Sequence, residues 1–420
     1  MARSFLKRWS ITPGPMNVVR ATLLAVVLAV LPGCQTATKP DRSFVFFPAP
    51  PEKPRVQYVT WASGAEQVEP GRSTFANFVL GEEPTLVRTI NKPYGIAMKD
   101  GVAYVCDTKG LSICKLDFKN QVFSSFGGRG PGRLRKPINI TIDPLGYKFV
   151  ADTVRKEIVV FGPNDEYVTA HKVPEPCRPV DVAIYENELY VLDNDATCRI
   201  VVMDRTSGQV LRTFGGPGGA PGKFKIPGSL CIGPEGYLYV SDTHNWRIQK
   251  LTREGKPVWV KGTPGYMLGQ FGRPRGINVG SDGTVFVVDG ATEIVQMFDK
   301  DGNTLMRFGG PGDGDGALGL PATVAIDQGS IPLFAKYFHK DFTVDYLMAV
   351  SNQYGPRLVS IFAFGSFPEG YDYQGKKFGT VERLPLGTVR EPVDTNQPAP
   401  AFPPPDHPSP EEDSQASGGP

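Results

Sequence analysis

Residues 226–251 read IPGSLCIGPEGYLYVSDTHNWRIQKL. Pro227 leads a short apolar run, a Gly-Pro-Glu-Gly turn follows, a second run ends at Asp242, and a third begins at Arg247. Each run is too short for a helix and each break carries turn residues, so the stretch reads as three consecutive strands. It also holds an apparent catalytic patch. Asp242 could orient His244, Trp246 could stack a ligand, and Arg247 could hold an anion. Whether this is a site or one copy of a repeat decides how much function the sequence reveals.

It is a copy. Prolines precede a short strand six times, in KPYGIAM (Pro93), KPINITI (Pro137), RPVDVAI (Pro179), IPGSLCI (Pro227), RPRGINV (Pro274) and LPATVAI (Pro321), at spacings of 44, 42, 48, 47 and 47. A second strand ends in a polar residue (VAYVCDT, YKFVADT, ELYVLDN, YLYVSDT, TVFVVDG), and a third follows (SICKLDF, EIVVFGP, RIVVMDR, RIQKLTR, EIVQMFD). A fourth runs into glycines, as in QVFSSFGGRGPG and TLMRFGGPGDGDG. Four short strands per repeat of roughly 40–50 residues is the signature of a β-propeller, here all-β with six blades. Gly 48 and Pro 40 in 420 residues suit that many turns.

These motifs resemble the NHL-repeat family of six-bladed propellers, TolB-like in architecture, over about residues 55–365. The resemblance implies a fold, and it leaves activity open. An orphan strand, RVQYVTWAS (Arg55–Ser63), precedes the first copy, and the sixth copy stops after its third strand. The ring is therefore expected to close by giving the N-terminal strand to blade six, leaving no bare sheet edge. The sixth copy carries an insertion around FAKYFHKDFTVD and lacks the repeated Asp.

Outside the repeat lie other segments. MNVVRATLLAVVLAVLPGC has a basic residue, a short apolar run and LPGC. This resembles the bacterial lipobox, which implies a signal peptide over 1–33 and a lipidated Cys34 (a palmitate among its acyl chains) as the mature N-terminus. Gln35 after the cysteine implies the outer membrane by the enterobacterial sorting rule. Residues 34–54 read as a Pro-rich linker, 55–370 as the propeller, 371–390 as a C-terminal extension, and 391–420 as a disordered Pro-rich acidic tail.

Most specific chemistries are not supported. Lys+Arg 45 against Asp+Glu 43 gives no field for nucleic acid. The four histidines (His171, His244, His339, His407) do not supply a convergent metal set. GDGDG (Gly312–Gly316) lacks the other calcium ligands, and the glycine runs lead into strands rather than helices, so they are no phosphate cradle. No haem motif and no nucleophile elbow occur. No cofactor, metal or catalytic residue is expected. Cys177–Cys198 is a candidate disulfide in an oxidising envelope, with Cys106–Cys114 a weaker one.

Asp242 aligns with Asp107, Asp152, Asp193 and Asp289, so it is a turn device that accepts backbone N–H groups. His244 aligns with Lys109, Val154, Asp195 and Ala291, so nothing repeats there. The expected partner-binding face combines Arg129, Arg133, Arg135, Lys136, His244, Asn245, Trp246, Arg273 and Arg275, all on one loop face of the disc. The chain thus reads as a lipid-anchored binding or scaffold module. It would contact the bilayer through acylated Cys34 and an envelope protein or anionic glycan through its loops. Resemblance to lipoproteins of anaerobic proteobacteria implies an accessory role beside multihaem cytochromes. The alternative is a lactonase-like hydrolase or lyase with a site in the central channel, where inner-strand positions are mostly apolar apart from Asn139, Asp181 and Asn278. Nothing in the sequence sets an oligomeric state.

Overall fold

Why the second and third strands of each copy read as unbroken apolar runs is explained by what covers them. Val285–Asp289 and Ile294–Phe298 are buried along their whole length, because a neighbouring blade packs on each face of the sheet. Fourth strands such as Val210–Gly215 lie at the rim and are largely exposed. The computed structural model describes residues 44–70 and 88–372. It shows an all-β six-bladed propeller: five four-stranded antiparallel sheets and one of five strands. The blades start at the expected prolines or, in blade four, just after one. Proline has no N–H to give a ladder and sits at the head of the innermost strand.

Six apolar clusters hold the ring, one between each pair of neighbouring blades. Tyr190 and Ile200 of blade three meet Leu230 and Val240 of blade four, for example. The last cluster packs Ile96 and Leu116 of blade one against Leu347 and Ile361 of blade six, which closes the circle. Val56–Ala62 forms the fourth strand of blade six, pairing Val56 with Phe364 and Ala62 with Val359, as expected.

Two features go beyond the sequence reading. Phe46–Phe47 pairs with Val56 and Gln57 as a fifth strand, so the folded region reaches into the segment read as linker. Phe46 packs against Phe342 and Phe367 in an aromatic cluster on the face opposite the glycine loops. The insertion in blade six is part of the same clasp. Buried Gln57 donates to the Tyr337 carbonyl at 2.8 Å and accepts from the His339 amide at 3.0 Å. Among the described residues no helix is long and apolar enough to cross a membrane. Cys34, the signal segment, and residues beyond 372 lie outside the described residues.

Candidate binding face and central channel

The repeated aspartates do more than their sequence positions predict. Each accepts amides from the loop entering its blade, and most also from the turn that follows. Asp107 binds the amides of Asn91, Lys92, Lys109 and Gly110, and Asp152 those of Arg135, Lys136, Val154 and Arg155, all at 2.7–3.1 Å. Asp193 and Asp289 repeat the pattern. In blade six Asn352 replaces the carboxylate, accepting from Gly319 N and donating to Arg357 O. Asp242 is completely buried and departs from the others. One oxygen takes the Lys225 amide at 2.7 Å, while the other takes Asn245 Nδ2 and Arg247 Nε, both at 2.8 Å.

Arg247 is equally architectural. Its guanidinium also donates to the carbonyls of Gly219, Ala220 and Lys223 in the glycine loop. Arg155 and Arg199 seize the preceding loop in the same way, through Pro131 and Arg133, and through Pro174 and Pro176. Arg357 does this in blade six by bonding Asp313 O and pairing with Asp315 at 3.0 Å, so GDGDG is an arginine-held turn. Arg199 and Arg247 open their third strands as Arg-Ile, whereas Arg155 and Arg357 stand two residues before theirs.

What stays on the surface is narrower than the nine residues expected. Arg129, Arg133, Arg135, Lys136, His244, Trp246 and Arg273 are exposed. Asn245 is spent on Asp242 and on Gly218 O at 3.0 Å. Arg275 requires a correction. It is only 6% exposed, because it belongs to an inner strand and its side chain turns over the ring instead of out to the rim. A second correction concerns grouping. Arg129 to Lys136 enter blade two and Arg273 enters blade five, so two blades stand between them on either side and they lie half-way round the ring from each other. They share a face but form two patches.

The patch at blades four and five holds more than charge. Trp246, 40% exposed, is in the left-handed conformation (φ 49°) and closes a short turn through its amide to Thr243 O. The neighbouring loop presses against it: a Cβ on Gly262 (φ 112°) would lie 2.8 Å from Trp246 O. That loop carries Tyr266 and Met267, each 71% exposed, together with Leu268. Burial holds the His244 imidazole below its ordinary pKa, aided by the positive charges of Arg273 and Lys225 against the opposing pull of Asp242. His244, Arg273 and Lys225 therefore lie together, and the loop carrying Tyr266 and Met267 runs from Gly262, against Trp246, to Arg273. Tyr266 and Met267 were missed in the sequence, although GTPGYMLGQFG is the glycine loop that puts large apolar residues where the others put charge or alanine.

The central channel is the other candidate. Inner strands approach so closely that a Cβ on Gly95 would lie 2.4 Å from Asn139 Oδ1. At the same level four of the other copies carry Asn139, Asp181, Ser229 and Thr323, a polar belt broken by Gly276 in blade five. Ser229 Oγ donates to Asp181 at 2.6 Å, and the amides of Leu230 and Val182 donate to it at 2.9 and 2.8 Å. Burial nevertheless raises the Asp181 carboxyl to about 7, against those bonds. The belt borders a cavity of about 160 Å³ that Cys231 and Asn278 also line. Asn278 is satisfied through Val324 O at 3.0 Å and Val279 N at 2.9 Å. Among the described residues no three His, Cys, Asp or Glu side chains converge as a metal site needs.

The expected disulfide is absent, since all five described cysteines are free. Cys177 packs between blades two and three and donates to Val173 O, whereas Cys198 packs between blades three and four and donates to Asp195 O. The sheet of blade three stands between them. Cys106 and Cys114 occupy adjacent registers on neighbouring strands and so point to opposite faces.

These features define a six-bladed β-propeller with a loop-face patch and a polar channel. No family model matches the chain. A protein of unknown function from Bacteroides thetaiotaomicron is similar in structure, with TM-score 0.50 at 14% identity, covering 74% of this chain and 75% of that one. A streptogramin B lyase aligns with TM-score 0.48 at 17% identity over 69% of this chain and 88% of its own. Nidogen, from its complex with laminin, aligns with TM-score 0.43 at 18% identity over 53% and 82%. At such identities likeness speaks to fold alone.

Proposed function

We propose that this chain is an NHL-type propeller lipoprotein that binds an acidic envelope protein or anionic glycan on the loop face at blades four and five. The observation that carries the proposal is the grouping of His244 with Arg273 and Lys225, flanked by exposed Trp246 and by the 262–273 loop that carries exposed Tyr266, Met267 and Leu268. Aromatic and arginine side chains dominate binding energy at interfaces, and methionine adapts to a partner's shape. The cations favour an acidic partner and speed encounter. Arg247 staples the loop entering blade four, and Gln296 holds the loop entering blade five through Gly269 N and Gln270 O, so little ordering cost falls on binding.

Acylated Cys34 would hold the propeller at the membrane. Phe44 lies ten positions after Cys34, a reach of at most ~35 Å. The chain enters the fold at the rim of blade six, running antiparallel to Val56–Ala62, where Val45 and Phe47 lie against Gly316 of a glycine loop. The tether would hold this rim near the membrane, by the sorting rule the outer one. An accessory role beside multihaem cytochromes is the particular version favoured by the sequence resemblance.

Capture of partners from envelope membranes tests the face. Trp246→Ala with Arg273→Glu is expected to cut recovery of a specific partner at least tenfold, corresponding to ~1.4 kcal/mol or more. Arg133→Glu with Arg135→Glu, on the far patch, should change it less. Identical recovery from all variants would sink the assignment. Cys34→Ala is expected to move the protein from the membrane to the soluble fraction, and persistence in the membrane would remove the anchor.

A hydrolase or lyase working from the channel is the second function with an observation behind it. Asp181, raised to about 7, could exchange a proton near neutrality. Its oxygens are occupied by Ser229 and two amides, which favours the binding role. Lactone or ester turnover that disappears in Asp181→Asn would reverse that preference.

A further inference from the structure

The structure assigns a carboxylate-binding position at the loop-side mouth of the central channel to Arg275. This goes beyond the loop-face reading and does not depend on it. The position follows the leading proline of blade five's inner strand, where the other copies carry Tyr94, Ile138, Val180, Gly228 and Ala322. An arginine here is an exception to the repeat, and only 6% of it is exposed.

Its guanidinium extends over blade six, where the counterpart residue is the small Ala322, and ends 5.9 Å from the ring of Tyr94 in blade one. Its protein partners are poor. Nη1 lies 3.4 Å from Pro321 O and 3.3 Å from Gln353 Oε1, both long for a charged donor. Nε is occluded and donates to no acceptor. Nη2 donates to no described residue and is not among the occluded atoms. Asp289, the nearby carboxylate, is engaged by the amides of Gly272, Arg273 and Ala291.

The contrast with the loop-holding arginines is the argument. Arg155, Arg199, Arg247 and Arg357 each pair with a carboxylate within 3.1 Å and cap carbonyls. Arg275 has no ion pair among the described residues, although arginine cannot escape burial by losing its proton. A buried, unpaired cation destabilises a fold, and an apolar residue of similar volume would serve the architecture better. Arg273, exposed on the same face, adds a second positive charge to the approach. A planar guanidinium whose Nη2 is free and whose Nη1 holds only long bonds matches a carboxylate, which can take two parallel N–H bonds from that pair. Such a group could come from a free small acid or from an acidic side chain of a docked macromolecule.

Full-length protein, wild type, Arg275→Lys and Arg275→Met, would be titrated with succinate and with an acidic Asp/Glu hexapeptide, using sodium chloride at matched ionic strength as control. Melting temperature and calorimetry are the readouts. Succinate or the peptide should stabilise the wild type saturably. Arg275→Lys should weaken binding about tenfold, through loss of the two-point geometry. Arg275→Met should abolish it, yet without ligand it should melt at least as high as wild type, by about 2 °C more if the whole desolvation cost is recovered. A peptide that saturates well below succinate assigns the carboxylate to a macromolecular partner, and the reverse order to a free acid. The inference is overturned if neither ligand acts beyond the salt control, if Arg275→Met still responds, or if that variant melts well below wild type. The last result would make the guanidinium structural.

Discussion

Asp242→Ala is expected to destabilise the protein by about 3–5 kcal/mol, the cost of breaking a buried ion pair by removing one partner. Asp242 is fully buried and Arg247 only 8% exposed, so neither can fall back on water. The substitution would leave Arg247 Nε, Asn245 Nδ2, Gln249 Nε2 and the Lys225 amide without their shared acceptor. Arg247 would keep its three carbonyls, which holds the cost within that range. Asp242→Asn keeps the shape and loses the charge, so a smaller loss is expected. Urea midpoints of the two variants, at unchanged slope, provide the measurement. A loss below about 1 kcal/mol in the alanine variant would show that the carboxylate does not staple the loop, since surface changes alone account for that much.

Asp181→Asn is expected to change how stability depends on pH. The folded carboxyl is raised from 3.8 to about 7, with burial as the leading cause. Below 3.8 both folded and unfolded chains are protonated at this residue, and its contribution is fully present. Between the two values the unfolded chain ionises while the folded one stays neutral, so stability is lost as pH rises through about 7. The gap corresponds to roughly 4 kcal/mol at full effect. Asparagine carries no charge at any pH, so the variant should gain on the wild type by up to about 3 kcal/mol between pH 5 and pH 8, the rest of the difference arising below pH 5. Urea midpoints at the two pH values decide it: parallel profiles for the two proteins would mean that Asp181 does not titrate in this window. The same experiment bears on the channel, because a carboxylate kept at such a cost in a belt with Asn139 and Ser229 is unusual for a purely architectural position.

The fold was legible because it is written six times. Pro93, Pro137, Pro179, Pro227, Pro274 and Pro321 mark inner strands, and one blade's ambiguity is resolved by the next. Closure by Val56–Ala62 followed from an orphan strand matched with an incomplete sixth copy. The fifth strand at Phe46–Phe47 was hidden by the prolines around it, because two residues carry too little periodicity to register. The insertion at Tyr337–His339 looked irregular because its partner, Gln57, lies almost 300 residues away in the chain.

The site was less legible than the fold. Repetition demoted Asp242 and left His244 and Trp246 at a turn tip, and the structure places both on the surface. It could not separate Arg273 from Arg275, two residues apart, because which of them turns outward depends on the pleat and on the space above Ala322. Nor could it tell that Arg133 and Arg273 stand across the ring from each other, or that the loop of Tyr266 and Met267 starts against Trp246. The sequence alone therefore determined the architecture, the number of blades and the role of the repeated aspartates, since those rest on local patterns that recur. Tertiary structure alone decided which charges meet, which cysteines stay apart and which arginine is left without a counter-charge. Those outcomes depend on distances between blades, and side-chain periodicity within a strand carries no record of them.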